Sequence, residues 1–355
     1  MAAMLSRRKK IVFALVTLVM SFGVMVALLL VADLILHHRA ERSAGLNRWG
    51  YRGPVIGGKQ RDETRIVMLG GSTMFGYGVS WDEAIPVQVE RKLRARYPDR
   101  RISVVNLAFN NEGSYSFKPT LEDYDYLEYD AVVLYEGYND SAGDVQPNTA
   151  VFRRRSAVFR LTGYMPILPL YLQEKAMLIR HGGDLSGAYA VGRGERPTVF
   201  QPNLAQRTSA AILESAAAVS ESLGRQIGRW HEEEKARPVE TSAVGCSTPW
   251  INYCENVYRA VTMIINAGKS VVVVGQPRIN EARKVLDGQQ AELSRMLQQQ
   301  FGGNSHVRYI DLGDVINLDD TTMAYDGMHL TAAGNAIIAD RLLEPLAAVA
   351  GLPDR

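Results

Sequence analysis

Short apolar runs alternate with longer stretches of helical period along most of this chain. Residues 65–69, 102–107, 131–136, 270–274 and 307–312 have the length and continuity of strands buried on both faces. Between the first two runs, Ser80 and Glu83 are spaced as a capping box, and Val89, Leu93 and Tyr97 share one helical face. Pro86 offers a second starting point for the same helix, since proline suits the first helical position. Residues 206–236, 252–267, 281–300 and 331–347 also carry a helical pattern. Strands alternating with helices predict an α/β fold, with a parallel sheet covered on both faces. The stretch 141–205 breaks this pattern, mixing Arg153, Arg154 and Arg155 with the run M-P-I-L-P-L-Y-L at 165–172. It reads as an insertion packed on the surface beside the site. A lid, or a segment resting on a membrane surface, is the alternative.

Before the first strand the pattern is different. Residues 11–36 are uncharged except for Asp33 and follow Arg7, Arg8, Lys9 and Lys10. As a helix this run is about 39 Å long, against a hydrocarbon core of about 30 Å. It exceeds the apolar region of a cleavable signal peptide and lacks a convincing A-x-A site, so the expectation is an uncleaved single-pass anchor. The basic cluster ahead of it places residues 1–10 in the cytoplasm, although Arg39, Arg42 and Arg48 follow the span. A polar linker at 37–64 then leads to a domain at 65–355, expected outside the cytoplasm (periplasmic).

Composition adds two points. With 355 residues, 46% of them hydrophobic, and a formal net charge of +2, the chain can bury a sizeable core and shows no footprint of a nucleic-acid partner. The two cysteines, Cys246 and Cys254, suit an oxidising compartment, where a bridge would contribute about 2.5 kcal/mol by loop entropy. Sequence leaves two reduced thiols open as the alternative.

The chemistry gathers at the ends of the predicted strands. The first run ends in Gly70-Gly71-Ser72, where glycines let the backbone turn and leave Ser72 at the rim of the sheet. Gly113 follows the second run, Asn139 the third, in G-Y-N-D, and D-G-M-H at 326–329 precedes the last helix. Acyl transfer by a serine needs a base, a group that orients the base, and donors for the oxyanion. His329 serves as base, Asp326 as its orienting group, and the N–H groups of Ser72 and Gly113 with the Asn139 amide as donors. Taken singly, each of these is a common turn. Rival signatures fail: G-x-S-x-G lacks its last glycine, and neither a P-loop nor G-x-G-x-x-G is present. His231 with its following glutamates lacks a second histidine, His181 and His306 have no ligand-spaced partners, and His37 and His38 fall at the membrane interface. No metal or cofactor is expected.

In this order, the four blocks resemble the SGNH (GDSL-like) hydrolase superfamily, whose Ser, Gly, Asn and His match Ser72, Gly113, Asn139 and His329, with Asp326 beside the last. Two departures stand out. Gly71 replaces the name-giving aspartate, and the segment 106–113 is longer than the family pattern, with Ala108 where glycine is frequent. The resemblance covers most of 65–347 and implies a three-layer α/β/α, flavodoxin-like fold. It also implies serine-dependent ester chemistry on an acylated small molecule, glycan or lipid. Membrane-tethered relatives suggest a deacetylase of envelope polysaccharide. An O-acyltransferase, or a non-catalytic glycan-binding or assembly scaffold, is the alternative.

Overall fold

The computed structural model describes residues 7–43, 45–110, 112–140, 156–180 and 244–353. Five parallel strands form the sheet: β1 (Glu63–Gly70), β2 (Arg101–Asn106), β3 (Ala131–Tyr135), β4 (Ser270–Gly275) and β5 (Val307–Asp311), in the order β2-β1-β3-β4-β5. The register pairs Val67 with Val105 on one side of β1 and with Val132 on the other. Because side chains alternate across a strand, each one feeds two cores. Val67, Leu69, Val132, Leu134, Val271 and Val273 enter one, and Ile66, Met68, Val133, Tyr135, Val272 and Val274 enter the other.

Two helices cover the second of these faces. They are α3 (Ile85–Arg96), through Ile85, Val89 and Leu93, and α9 (Ala332–Val349), through Ile338, Leu342 and Leu346. The first face is covered by α4 (Phe117–Asp123), α7 (Ile251–Asn266) and α8 (Arg283–Phe301). This is the three-layer arrangement expected from the alternation. Both starting signals for α3 are used: Ser80 and Glu83 close a capping box on a short turn, and Pro86 then sits in the first turn of the helix. The chain leaves β1 to one side for β2 and returns to the other for β3, so the sheet's topological switch lies between the ends of β1 and β3. Open α/β sheets place their sites there.

At the other end of the molecule, α1 (Arg7–Ser43) is a 37-residue helix, long and apolar enough to cross a membrane. It extends beyond the apolar run on both sides, because neither the basic residues before it nor the polar ones after it interrupt helical propensity. Asp33 and His37 are both buried, on the side facing the domain. Asp33 accepts the N–H groups of Ile167 (2.9 Å) and Leu168 (2.6 Å), together with the Tyr164 hydroxyl. His37 Nε2 donates to the Met165 carbonyl at 2.6 Å. Asp33 thus supplies the carboxylate at the start of α6 (Leu168–Arg180), meeting N–H groups that have no intrahelical partner. With α5 (Ala157–Thr162), these are the described parts of the insertion; Phe159 and Met165 are buried, so this part packs down. The rest of 141–205 and the helix expected at 206–236 lie outside the described residues.

The polar stretch after α1 is folded as well. Asn47, Tyr51 and Arg52 are buried, and the Arg52 N–H donates to the Asn106 carbonyl at 3.1 Å. Cys246 and Cys254 are joined by a disulfide that ties the approach segment to the first turn of α7.

Candidate active site

Ser72 is the first residue of α2 (Ser72–Phe75), a single helical turn at the carboxyl end of β1. Two features hold that turn. Gly76 closes it in the left-handed region at φ 86°, which favours glycine. Its unpaired carbonyls are taken by two side chains from elsewhere. Arg52 donates to Phe75, Gly76 (2.6 Å) and Val79 (2.7 Å), and Asn106 donates to Phe75 at 3.2 Å. The cation also lies over the Phe75 ring, 4.4 Å from its centroid.

His329 Nε2 lies 2.7 Å from Ser72 Oγ, and His329 Nδ1 lies 2.7 Å from Asp326 Oδ2. The other oxygen of Asp326 accepts the backbone N–H groups of His329 (2.7 Å) and Met328 (3.1 Å). The three-residue spacing therefore closes a local turn in which one carboxylate binds both the backbone and the ring of the same histidine. Burial raises the Asp326 pKa, but these N–H groups and the imidazole outweigh it and hold the carboxyl below its ordinary range. An ionised Asp326 can only accept, so Nδ1 carries the proton and Nε2 presents its lone pair to the serine hydroxyl. The His329 side chain is 15% exposed. Tyr325 stacks on the imidazole at 5.9 Å and 16°, Tyr77 flanks it at 5.0 Å, and the Tyr325 hydroxyl donates to the Tyr77 carbonyl at 3.0 Å.

The second and third blocks are stitched to each other beside this pair. Asn139 Nδ2 donates to the Glu112 carbonyl at 2.8 Å, and its second amide hydrogen has no partner among the described residues. Ser114 donates to Asp140 through its N–H at 2.9 Å and its hydroxyl at 2.8 Å. Burial, offset in part by these two donors, raises the Asp140 pKa to about 6. Gly113 therefore stands in a loop pinned at both neighbours. The N–H groups of Ser72 and Gly113 have no hydrogen-bond partner among the described residues. A Cβ on Gly71 would collide with Asn139 Nδ2, would stand 2.6 Å from Glu136 Oε2 and 2.9 Å from the Glu112 carbonyl oxygen. That crowding accounts for glycine, rather than aspartate, ahead of the serine. It also shows how closely the blocks holding Ser72, Gly113 and Asn139 approach one another.

Every residue proposed for the site from sequence thus lies in one region. Sequence reasoning missed Arg52, Glu136, Tyr77 and Tyr325. Of these only Glu136 left a signal, as a charged residue ending an apolar strand. His306 meets the Ser270 hydroxyl at 2.9 Å, and His181 and His231 lie outside the described residues. Among the described residues no group of three or more His, Cys, Asp or Glu stands close enough to hold a metal ion.

Residues 68–337 match the GDSL-like Lipase/Acylhydrolase family, and the chain belongs to that family of serine hydrolases. It is an esterase of acyl-ester substrates in the general sense the family defines. No curated protein sequence matches it. Solved structures similar to it include a putative lipolytic protein of the G-D-S-L family from Desulfitobacterium hafniense, at 9% identity and a TM-score of 0.41, covering 79% of this chain and 98% of that one. A variant of the acetyl xylan esterase Axe2 from Geobacillus stearothermophilus gives 13% and 0.42, with coverage of 82% and 97%. The esterase EstA from Pseudoalteromonas sp. gives 12% and 0.40, with coverage of 79% and 95%. Likeness this distant says nothing of substrate.

Proposed function

We propose that this hydrolase works through Ser72, His329 and Asp326 on an acyl ester presented outside the cytoplasm, with an acetylated envelope polysaccharide as the first candidate substrate. The observation that carries the reading is the unbroken chain of contacts from Ser72 Oγ to His329 to Asp326, each 2.7 Å long. Ser72 Oγ attacks the ester carbonyl while His329 Nε2 takes its proton. The imidazolium then protonates the departing alcohol, and water repeats the sequence to release the acid. Asp326 holds the tautomer and stabilises the imidazolium. The Ser72 and Gly113 N–H groups and the free Asn139 amide hydrogen are the donors for the oxyanion. Transfer of the acyl group to a sugar hydroxyl uses the same steps with a different acceptor, and is the second outcome to assay. The extracytoplasmic placement draws support from the basic residues ahead of the apolar helix and from the Cys246–Cys254 bridge.

The test is labelling of the detergent-purified full-length chain with a fluorophosphonate, alongside turnover of a small acetyl ester. Covalent labelling and hydrolysis by wild type, both absent from Ser72→Ala, are expected. Equal activity in the Ser72→Ala variant would overturn the assignment. Wild type that neither labels nor turns over, while still serving the cell, would favour a scaffold.

A further inference from the structure

Behind the nucleophile turn lies a carboxyl group that the mechanism above does not use. Glu136 follows β3 directly and is 2% exposed. Its Oε1 accepts the N–H groups of Gly137 at 2.9 Å and Asn139 at 3.0 Å, so it shapes the turn that carries the Asn139 amide. Its Oε2 lies against Gly71, the residue before the nucleophile, whose backbone N–H also favours the charged form of the carboxyl. Its own carbonyl accepts the Tyr253 hydroxyl at 2.8 Å, which pins the residue to α7. One side chain therefore touches both the serine turn and the asparagine turn across the switch between β1 and β3.

We propose that Glu136 is a positioning residue for ester chemistry at Ser72, seated between Gly71 and Asn139, and that it does this work as a neutral carboxylic acid. This rests on the catalytic reading of Ser72. The groups that face Glu136 support neutrality. Tyr135 precedes it, Tyr138 and Asp140 follow it in the turn, Tyr253 reaches it from α7, and Glu112 lies across Gly71 in the neighbouring loop. Burial pushes the phenols of Tyr135, Tyr138 and Tyr253 far above their usual range, so they stay uncharged. Among the described residues no cation is bound to the Glu136 carboxyl; Arg278, at the end of β4, is committed to Asp287 and Asp311. Burial, then the charge of Asp140, raises the Glu136 pKa to about 8 against the Gly137, Asn139 and Gly71 N–H groups.

The protonation state has a functional consequence. Attack by Ser72 builds negative charge beside the Asn139 amide. A neutral Glu136 leaves that charge to the oxyanion donors, whereas an ionised one opposes it in a region of low dielectric. Turnover should therefore fall as pH rises through about 8. Glu136→Gln keeps the acceptor for Gly137 and Asn139 and cannot ionise, so it should retain kcat within about threefold at pH 7 and lose the alkaline decline. Glu136→Ala removes the acceptor and should lower kcat on the order of 10²-fold, the scale of one misplaced oxyanion donor. The experiment is the pH profile of kcat for a small acetyl ester, pH 6 to 10, on full-length wild type, Glu136→Gln, Glu136→Ala and Ser72→Ala. Circular dichroism of each variant serves as the fold control. An alkaline decline unchanged in Glu136→Gln overturns the proposal, as does a Glu136→Ala variant with more than half of wild-type turnover. If Ser72→Ala is inactive in the same assay, either result removes Glu136 alone; if Ser72→Ala is active, the serine reading itself has failed. Should Glu136→Ala not fold, the Glu136→Gln profile decides.

Discussion

Two carboxyl groups brought close to the reacting serine have opposite surroundings. Asp326 is partly open to solvent, accepts two backbone N–H groups and an imidazole, and is held in its charged form. Glu136 is sealed behind the turn with another carboxyl nearby, and its pKa is raised to about 8. Neither residue differs much from the other as a chemical object. The positions of N–H donors and water sort them into a charge that supports an imidazolium and an acid that supports a backbone.

Substitutions can break this contrast at several strengths. The largest loss is expected from Ser72→Ala or His329→Ala, about 10⁶-fold in kcat, with the double variant little worse than either, because neither group works alone. Single-turnover assays on the full chain check this; strict additivity would show that the two are not one unit. Next, Asp326→Asn should cost about 10⁴-fold, since an amide leaves the imidazole in the wrong tautomer. The same carboxyl-to-amide change at Glu136 should cost no more than about threefold at neutral pH. Equal losses at the two positions would erase the distinction between them. Asn139→Ala should lower kcat by about 10²–10³ while KM for a small ester changes little.

The smallest effect concerns stability. A carboxyl whose folded pKa is raised to about 8 costs the protein stability progressively as pH climbs from its unfolded value of 4.5 towards 8, because the folded state binds the extra proton. Relative to wild type, Glu136→Gln should gain on the order of 5–10 °C in melting temperature between pH 4.5 and pH 8.5. Asp326 works in the other direction: its contribution is present above the unfolded pKa of 3.8 and is lost as pH falls through the lower folded value. Melting curves of both amide variants over the same range, extended below pH 3.8 for Asp326→Asn, separate the two trends.

Much of this was legible from local pattern. Five apolar runs and their glycine endings marked the strands, and the strand ends marked where chemistry gathers, because carboxyl ends of parallel strands share one edge of the sheet. The Asp326–His329 spacing was readable because its geometry closes within a single turn of chain. What escaped is held by tertiary contact alone. Arg52 sits in a polar stretch with no periodicity, and nothing local says that its guanidinium closes the turn carrying Ser72. Tyr77 and Tyr325 are 248 residues apart and meet only around the imidazole. Glu136 became meaningful only once Gly71 was seen to leave room for it. In the apolar helix, Asp33 read as a blemish in a membrane span; its partners, Ile167 and Leu168, lie more than 130 residues away.

That aspartate changes what the anchor does. With Asp33 and His37 committed to the turn at 164–168, the uninterrupted apolar part of α1 shortens to residues 11–32. At 1.5 Å per residue this is about 33 Å, close to the thickness of a hydrocarbon core. The helix therefore cannot slide or act as a loose leash, because drawing Asp33 inward would strip α6 of its capping carboxylate. Were α1 to cross a bilayer, these contacts would seat the domain on it as a head on a stem rather than on a slack tether. The esters within reach of Ser72 would then lie in a thin layer parallel to that bilayer, and lengthening the stem by a few helical turns would move that layer.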